Sequence, residues 1–270
     1  MDEQVLIETR RGTLVGMLHA PEAEARPTAA LFCHAFGEER KSSALAMARL
    51  ARAVARAGFP ALRFDYYGCG DSEGEFADAT VGTRLEDIAT AAAFLRRRTE
   101  AEGVCLLGLR LGATLAARAA ERLADCAGLV LVEPVTDGAA YFGGELRRKL
   151  VRRMMTEGRG DASPAEMLRR LERDDAVLDL DGFAVRGPTY KELAALGIRA
   201  GEVSFAGPVL VVQVHFKDRP KPELEAACAA YREAGARVAF HRLVLPPFWN
   251  RIEVILAPEL EAAVTQWLLA

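Results

Sequence analysis

The stretch that most constrains the fold is the decapeptide VCLLGLRLGA at residues 104–113. An apolar run typical of a buried strand ends at Gly108, and an alanine-rich segment typical of a helix begins directly after Gly112. This order of strand, sharp turn and helix matches the nucleophile elbow G-x-S-x-G, in which the central residue lies at the tip of the turn. The central residue here is Arg110. Because a guanidinium stays protonated and only donates hydrogen bonds, Arg110 cannot act as an acyl nucleophile.

The rest of the chain alternates between short apolar runs and helical segments. This alternation is typical of a mostly parallel sheet that is covered by helices. It stops near residue 136 and resumes at Gly207, and the block between carries helical segments with clustered charge and no clear strand. We therefore predict an α/β core formed by residues 1–135 and 207–270, with a helical cap inserted at residues 136–206.

Composition excludes several classes of function. The net charge of −3 over 270 residues gives no reason to expect nucleic acid or an anionic membrane surface as a partner. No apolar run has the length of a membrane span, and the opening residues do not resemble a signal peptide. The five cysteines share no C-x-x-C spacing, which is typical of reduced thiols. We therefore expect a cytoplasmic protein with no metal site and no cofactor.

Several segments together resemble the α/β-hydrolase superfamily, and in particular its serine aminopeptidase-like branch. His34 follows the third candidate strand, where members often carry a His-Gly pair near the oxyanion hole, although Ala35 replaces the glycine here. The segment RFDYYGCGDS at residues 63–72 is similar to the R-x-D-x-x-G-x-G-x-S stretch of that branch. Residues 208–218 are similar to the strand and turn that deliver the catalytic acid, and this similarity implies that role for Asp218.

A closer resemblance is to a group named exosortase A system-associated hydrolases, which are found with bacterial polysaccharide clusters. Four segments carry it: HAFGEERKSS, GLRLGA, EPVTDGAAYF and PPFW. The fold that both resemblances imply is the α/β-hydrolase fold with a cap.

The residues that the family's mechanism needs are only partly present. The resemblance places the nucleophile at Arg110 and the catalytic histidine near Pro247 or Phe248, and no histidine follows in the sequence. A Ser-His-Asp mechanism needs a base within hydrogen-bond reach of a hydroxyl group. Ordinary ester or peptide hydrolysis through a serine acyl-enzyme is therefore not expected.

Two interpretations of Arg110 stay open. Its side chain could bind a carboxylate or phosphate group at the N-terminus of the following helix, with help from backbone amides near Ala35 and Leu111. It could instead form an internal ion pair with Asp218 or Glu133, because a buried guanidinium without a partner is costly. The sequence does not decide between them.

The predicted function follows from the first interpretation. The site would bind a small acyl, carboxylate or phosphate-bearing metabolite and carry out an atypical lyase, transfer or isomerisation step. His34, Glu133 or Asp218 would transfer protons, although for His34 the orientation of its loop is the favoured role. Glu133 gains weight because open α/β sheets bind ligands at the carboxyl ends of their strands. The alternative is an inactive pseudo-hydrolase that serves a biosynthetic pathway as a scaffold or ligand-binding partner, and both a homo-oligomer and a pathway protein remain open as partners.

Overall fold

The computed structural model describes residues 2–157, 163–251, 253 and 255–270, with residues 152–157 described by their backbone alone. In chain order the strands are β1 (Asp2–Glu8), β2 (Thr13–His19), β3 (Thr28–Cys33), β4 (Ala61–Phe64), β5 (Gly103–Leu109), β6 (Cys126–Val132), β7 (Val177–Leu180), β8 (Phe183–Arg186), β9 (Pro208–His215) and β10 (Arg237–Val244). The helices are α1 (Glu38–Arg56), α2 (Val81–Thr99), α3 (Leu111–Ala120), α4 (Gly138–Glu157), α5 (Pro164–Leu171), α6 (Gly187–Ala195), α7 (Pro222–Glu233) and α8 (Pro258–Leu269), with a short 3-10 helix at Phe76–Asp78.

Eight of these strands form one sheet in the order β1-β2-β4-β3-β5-β6-β9-β10. The pairs β1–β2 and β2–β4 are antiparallel, and every other neighbouring pair in this sheet is parallel. The central strands β3, β5, β6 and β9 are almost continuously apolar because helices cover both of their faces. Helices α1 and α8 pack on one face, and α2, α3 and α7 pack on the other. This is the α/β-hydrolase fold that the sequence predicts.

Between β6 and β9 the chain forms helices α4, α5 and α6 together with a two-stranded antiparallel sheet of β7 and β8. The expectation that this block contains no strand is wrong. Asp181 and Gly182 join the two strands with positive φ angles of 55° and 90°, which is the backbone of a tight hairpin turn. Each strand has four residues, which is too short to show a clear alternation of polar and apolar side chains. The division into a core and a cap at residues 136 and 206 stays a prediction.

Aromatic rings join this inserted block to the rest of the molecule. Phe142 of α4 packs edge-on against Phe36, with 5.5 Å between ring centroids. Phe183 of β8 packs against Phe76, with 5.0 Å between centroids. The block therefore lies against the loops that follow β3 and β4. None of the helices in the described part of the chain combines the length and the hydropathy that a bilayer crossing requires.

Candidate functional site

Arg110 lies at the tip of a sharp turn between β5 and α3. Its backbone has φ 56° and ψ −124°, a conformation that side-chain-bearing residues rarely adopt outside strained or functional turns. Glycine is required on both sides of Arg110 because the backbones of neighbouring segments approach these two positions closely. A Cβ atom on Gly108 would lie 2.3 Å from the Cα of Ala113, and one on Gly112 would lie 2.3 Å from the carbonyl oxygen of Cys33. The elbow geometry is thus present, with an arginine where the pattern places a serine.

The Arg110 guanidinium is held by a carboxylate from helix α1. Its Nε donates to Oε1 of Glu39 at 3.1 Å, and the hydroxyl of Tyr141 donates to the other oxygen, Oε2, at 2.9 Å. Two rings flank the guanidinium, with its carbon 5.4 Å from the ring centroid of Tyr141 and 5.3 Å from that of Trp249. These contacts fix the side chain in one position.

Burial and charge act in opposite directions on Arg110 and in the same direction on Tyr141. Burial alone would lower the pKa of Arg110, but the nearby Glu39, Tyr141 and Glu133 together outweigh it, and the pKa is raised above its usual value. Burial and the Glu39 carboxylate raise the pKa of Tyr141 well above its ordinary range. At neutral pH the guanidinium is therefore charged and the phenol is neutral.

Glu133, at the end of β6, also has a strained backbone, with φ 46°. Its buried carboxylate accepts a hydrogen bond from the backbone amide of Val214 at 2.7 Å and from Nζ of Lys221 at 2.6 Å. Its backbone carbonyl accepts from Nη1 of Arg110 at 3.4 Å. The Glu133 carboxylate is thus paired with Lys221 and not with Arg110, which corrects one of the expected pairings.

Arg110, Glu133, Tyr141 and Lys221 line one cleft of about 330 Å³. The cleft is completed by Pro134, Val135, Thr136, Asp137, Ala140, Glu223 and Leu224. Nη2 of Arg110 has no hydrogen-bond acceptor among the described residues. The site, hereafter the elbow cleft, is therefore lined by the Glu133–Lys221 ion pair and by a guanidinium with one unpaired nitrogen.

Asp218 does not reach this cleft. Its Oδ1 lies 3.3 Å from Nε of Arg242, and its side chain is 62% exposed. It lines a separate cleft beside β10 together with Phe240 and His241. The expected pair between Asp218 and Arg110 is therefore not formed. The physical reason is that the chain after β9 turns outward toward β10 before it enters α7.

His34 is held by hydrogen bonds at both ring nitrogens. Nδ1 lies 2.7 Å from the carbonyl oxygen of Ala35, which can only accept, and Nε2 accepts from the backbone amide of Tyr66 at 3.4 Å. This pattern requires the neutral tautomer that carries its proton on Nδ1. Burial, together with the nearby positive charge of Arg40, lowers the pKa of His34 to about 3. The imidazole is therefore neutral, and neither nitrogen is free.

The two backbone amides expected near the elbow belong to buried residues. Neither the amide of Ala35 nor that of Leu111 has a hydrogen-bond acceptor within the described ranges of the chain. Leu111 is the first residue of α3, where backbone N–H groups have no partner inside the helix. Ala35 is 1% exposed and Leu111 is 0% exposed, and neither lines the elbow cleft, so their role in ligand binding stays a prediction.

Four residues of the site were missed by reasoning from sequence: Glu39, Tyr141, Lys221 and Trp249. The first two lie in HAFGEERKSS and EPVTDGAAYF, segments that carry the family resemblance, but no pattern marked those positions within them. Trp249 follows Phe248 in the segment that aligns with the family's histidine. That segment does reach the elbow, where it presents an indole ring instead.

Comparisons of structure support the same architecture. The chain is similar to Est1E from Butyrivibrio proteoclasticus, whose structure holds ferulic acid, with a TM-score of 0.66 and 18% identity over 98% of both chains. It is similar to the Pyrococcus furiosus esterase PF2001, with a TM-score of 0.66 and 15% identity over 100% of this chain and 90% of that one. Proline iminopeptidase from Mycobacterium smegmatis gives a TM-score of 0.62 and 16% identity over 99% of this chain and 98% of that one. At these identities the likeness shows the fold alone.

Comparisons of sequence show the family. No curated protein matches the chain. The family model described as serine aminopeptidase, S33, matches residues 26–181, which is more than half of the sequence. This range contains the loop after β3, the elbow and Glu133. The chain is therefore a member of the serine aminopeptidase S33 family, within the α/β-hydrolase superfamily.

Proposed function

We propose that this chain is a ligand-binding member of its family that does not form a serine acyl-enzyme. One observation carries the proposal: the elbow cleft has Arg110 at its tip, and none of its described lining residues is a serine, cysteine or histidine. Acyl transfer through a covalent intermediate needs a nucleophile beside a base. An ion-paired guanidinium supplies neither function.

The ligand class follows from Arg110, which lines the cleft, and from helix α3, which begins directly after it. Nη2 of Arg110 and the amide of Leu111 at the N-terminus of α3 both favour an anionic oxygen. We infer a small molecule that carries an acyl, carboxylate or phosphate group. A compact ligand fits a cleft of about 330 Å³, which is near the lower end for small-molecule sites.

Only one of the three residues predicted to transfer protons lines the cleft. Glu133 is there, bound to Lys221, and is the candidate for proton transfer in a lyase, transfer or isomerisation step. His34 lies under the loop with both nitrogens in use, and we assign it the role of holding that loop. Asp218 lies in another cleft and takes no part in this proposal.

A second candidate function is an inactive scaffold. It is favoured by the Glu39–Arg110 pair, because an anionic ligand must compete with a carboxylate that already neutralises the guanidinium. The resemblance to hydrolases found with bacterial polysaccharide clusters fits either candidate. In both cases the partner would be a component of a biosynthetic pathway or a second copy of the chain.

The absence of an acyl-enzyme can be tested with a fluorophosphonate probe and a panel of simple esters. We expect neither labelling nor turnover by the wild-type protein. Ser72→Ala shows whether Ser72 itself reacts. The Ser72 hydroxyl already donates to the backbone carbonyl of Asp65 at 2.7 Å, so we expect this variant to behave as the wild-type protein does. Labelling of the wild-type protein, whether or not it survives in Ser72→Ala, would contradict the proposal.

Ligand binding can be tested with Arg110→Lys as the matched variant. Lysine keeps a positive charge opposite Glu39 but has no planar guanidinium edge. We expect native mass spectrometry to detect a small anion on the wild-type protein and not on Arg110→Lys, with similar thermal stability for both. If no small carboxylate or phosphate monoester binds the wild-type protein, by mass spectrometry or titration calorimetry, the scaffold is the better description.

A further inference from the structure

A second cleft, of about 340 Å³, shares no lining residue with the elbow cleft. This edge cleft lies between the β1–β2 hairpin, the ends of β3 and β4, and helix α1. Arg40 of α1 lines it, whereas the preceding residue, Glu39, binds Arg110 at the elbow. The two clefts therefore flank the first turn of the same helix.

The edge cleft contains a guanidinium with a free edge. Nε of Arg63 donates to Nε2 of His19 at 3.1 Å, and Nδ1 of His19 lies 2.7 Å from Oδ1 of Asp2. Nη1 and Nη2 of Arg63 have no acceptor among the residues that the structure describes. Burial, and after it the positive charge of Arg52, lower the pKa of Arg63, yet an arginine remains charged at neutral pH. Its two Nη groups match the two oxygens of a carboxylate.

The other charges of the edge cleft are already matched. Oδ1 of Asp65 accepts from Nε of Arg40 at 3.0 Å, and Oδ2 accepts from the backbone amide of Asp71 at 3.2 Å. His34 is neutral for the reasons given above. Asp71 is exposed at the rim, where its charge disfavours a ligand that carries more than one negative charge. The cleft is thus suited to a single anionic group.

The remaining lining of the edge cleft is mostly apolar. Apart from the polar residues Gln4 and Ser43, it comes mainly from side chains of the sheet and of α1: Val15, Met17, Phe32, Met47 and Phe64. Small-molecule sites commonly combine such a lining with a few polar groups that set the orientation of the ligand. Here the orienting group is Arg63, which faces a mainly apolar space.

The geometry points to a binding site in the edge cleft for a small monocarboxylate with an apolar tail. The carboxylate lies on the Nη edge of Arg63, and the tail packs against Phe32, Met47 and Phe64. This site is separate from the elbow cleft, and it goes beyond the function proposed for that cleft.

The test is a titration with hexanoate and with 1-hexanol, followed by saturation-transfer difference NMR on the whole protein. Removal of a charge-assisted pair should weaken hexanoate binding about tenfold or more in Arg63→Met, with a smaller loss in Arg63→Lys. Binding of 1-hexanol should be the same in all three proteins. Equal hexanoate affinity in wild type and Arg63→Met, or no saturable binding to the wild type, would overturn the proposal.

Two further variants separate the edge cleft from the elbow. Ala44→Trp places a ring over the edge cleft from an exposed position on α1, so it should block hexanoate without disturbing the core. This variant decides the question if Arg63→Met does not fold. Arg110→Lys should keep the component of hexanoate binding that Arg63→Met and Ala44→Trp remove, whatever it does to anion binding at the elbow. Binding that is lost in Arg110→Lys and kept in Ala44→Trp would place the carboxylate in the elbow cleft and overturn the assignment.

Discussion

Two consecutive residues of helix α1 form ion pairs that differ in their exposure to water. In the Glu39–Arg110 pair the side chains are 4% and 17% exposed. In the Arg40–Asp65 pair they are 28% and 19% exposed. The first pair closes the tip of the elbow between Tyr141 and a tryptophan ring, and the second lines an open cleft.

This difference decides what each pair can do. Removal of one partner from a buried pair leaves an uncompensated charge in a medium that solvates it poorly. Water replaces a lost partner in a more exposed pair at low cost. Neither charge of the Glu39–Arg110 pair can therefore be removed alone without a large loss of stability, whereas the surroundings of Arg40 can adapt to a ligand.

The largest effect is expected from Glu39→Gln. This change leaves the Arg110 guanidinium buried without its carboxylate, and it should lower the free energy of unfolding by about 3–5 kcal/mol. Urea denaturation at pH 7, followed by circular dichroism, measures the loss.

The control for this prediction is the double variant Glu39→Gln with Arg110→Met. Because both charges are then absent, most of the lost stability should return. A loss below about 1 kcal/mol in Glu39→Gln alone would contradict the prediction. It would show that the Arg110 charge is compensated without Glu39, as water compensates the charges of an exposed pair.

His34 lies between the two regions and should make the stability of the protein depend on pH. Its pKa is about 3 in the folded protein against a usual value of 6.5, so the unfolded chain binds the proton first as pH falls. The contribution of His34 is therefore complete above pH 6.5 and is lost between about pH 6.5 and pH 3. His34→Gln should reduce the difference in unfolding free energy between pH 7 and pH 5 by about 2 kcal/mol.

Glutamine can still accept the hydrogen bond from the amide of Tyr66, so the loop need not move. The matched control is His241→Gln, because the side chain of His241 is exposed on β10. Its pH profile should follow that of the wild-type protein. An unchanged profile in His34→Gln would mean that His34 can take up a proton without loss of stability.

Much of the fold could be predicted from sequence because its physical signals are local. Strands β3, β5, β6 and β9 are buried on both faces, so each is a continuous apolar run. The elbow is marked by two glycines, at positions where close backbone packing leaves no room for a Cβ atom. The hairpin of β7 and β8 carried a signal as well, the dipeptide Asp181-Gly182, which the short strands on either side obscured.

The partners inside the site could not be predicted in the same way. Glu39 is 71 positions from Arg110 in sequence, and Tyr141 is 102 positions from Glu39. Asp218 lies in the expected segment, but the direction of a loop after a strand depends on tertiary packing that periodicity does not report. A charged residue at a buried turn predicts that a residue of opposite charge lies nearby. Which residue this is depends on tertiary contacts between segments that are far apart in sequence.

A smaller effect is expected from Asp65→Asn, which tests the more exposed pair. The loss of charge-assisted hydrogen bonds from Arg40 should cost about 1–2 kcal/mol, clearly less than Glu39→Gln. The same change removes a negative charge from the edge cleft, so hexanoate affinity should rise. Parallel urea denaturation and NMR titration measure both. A loss equal to that of Glu39→Gln would remove the distinction between the two pairs.

The smallest effect is expected from Asp218→Asn. Asp218 faces Arg242 across 3.3 Å with both side chains largely in water, so the free energy of unfolding should change by less than about 1 kcal/mol. The remaining difference in unfolding free energy should vanish at high salt, because the screening length for exposed charges is then only a few ångströms. Ligand retention at the elbow cleft should also be unchanged, because Asp218 lines a different cleft. If Asp218→Asn instead abolished ligand retention in a folded protein, the acid of the family pattern would act at the elbow after all. Exposure to water would then no longer distinguish the ion pair of the site from an ion pair of the surface.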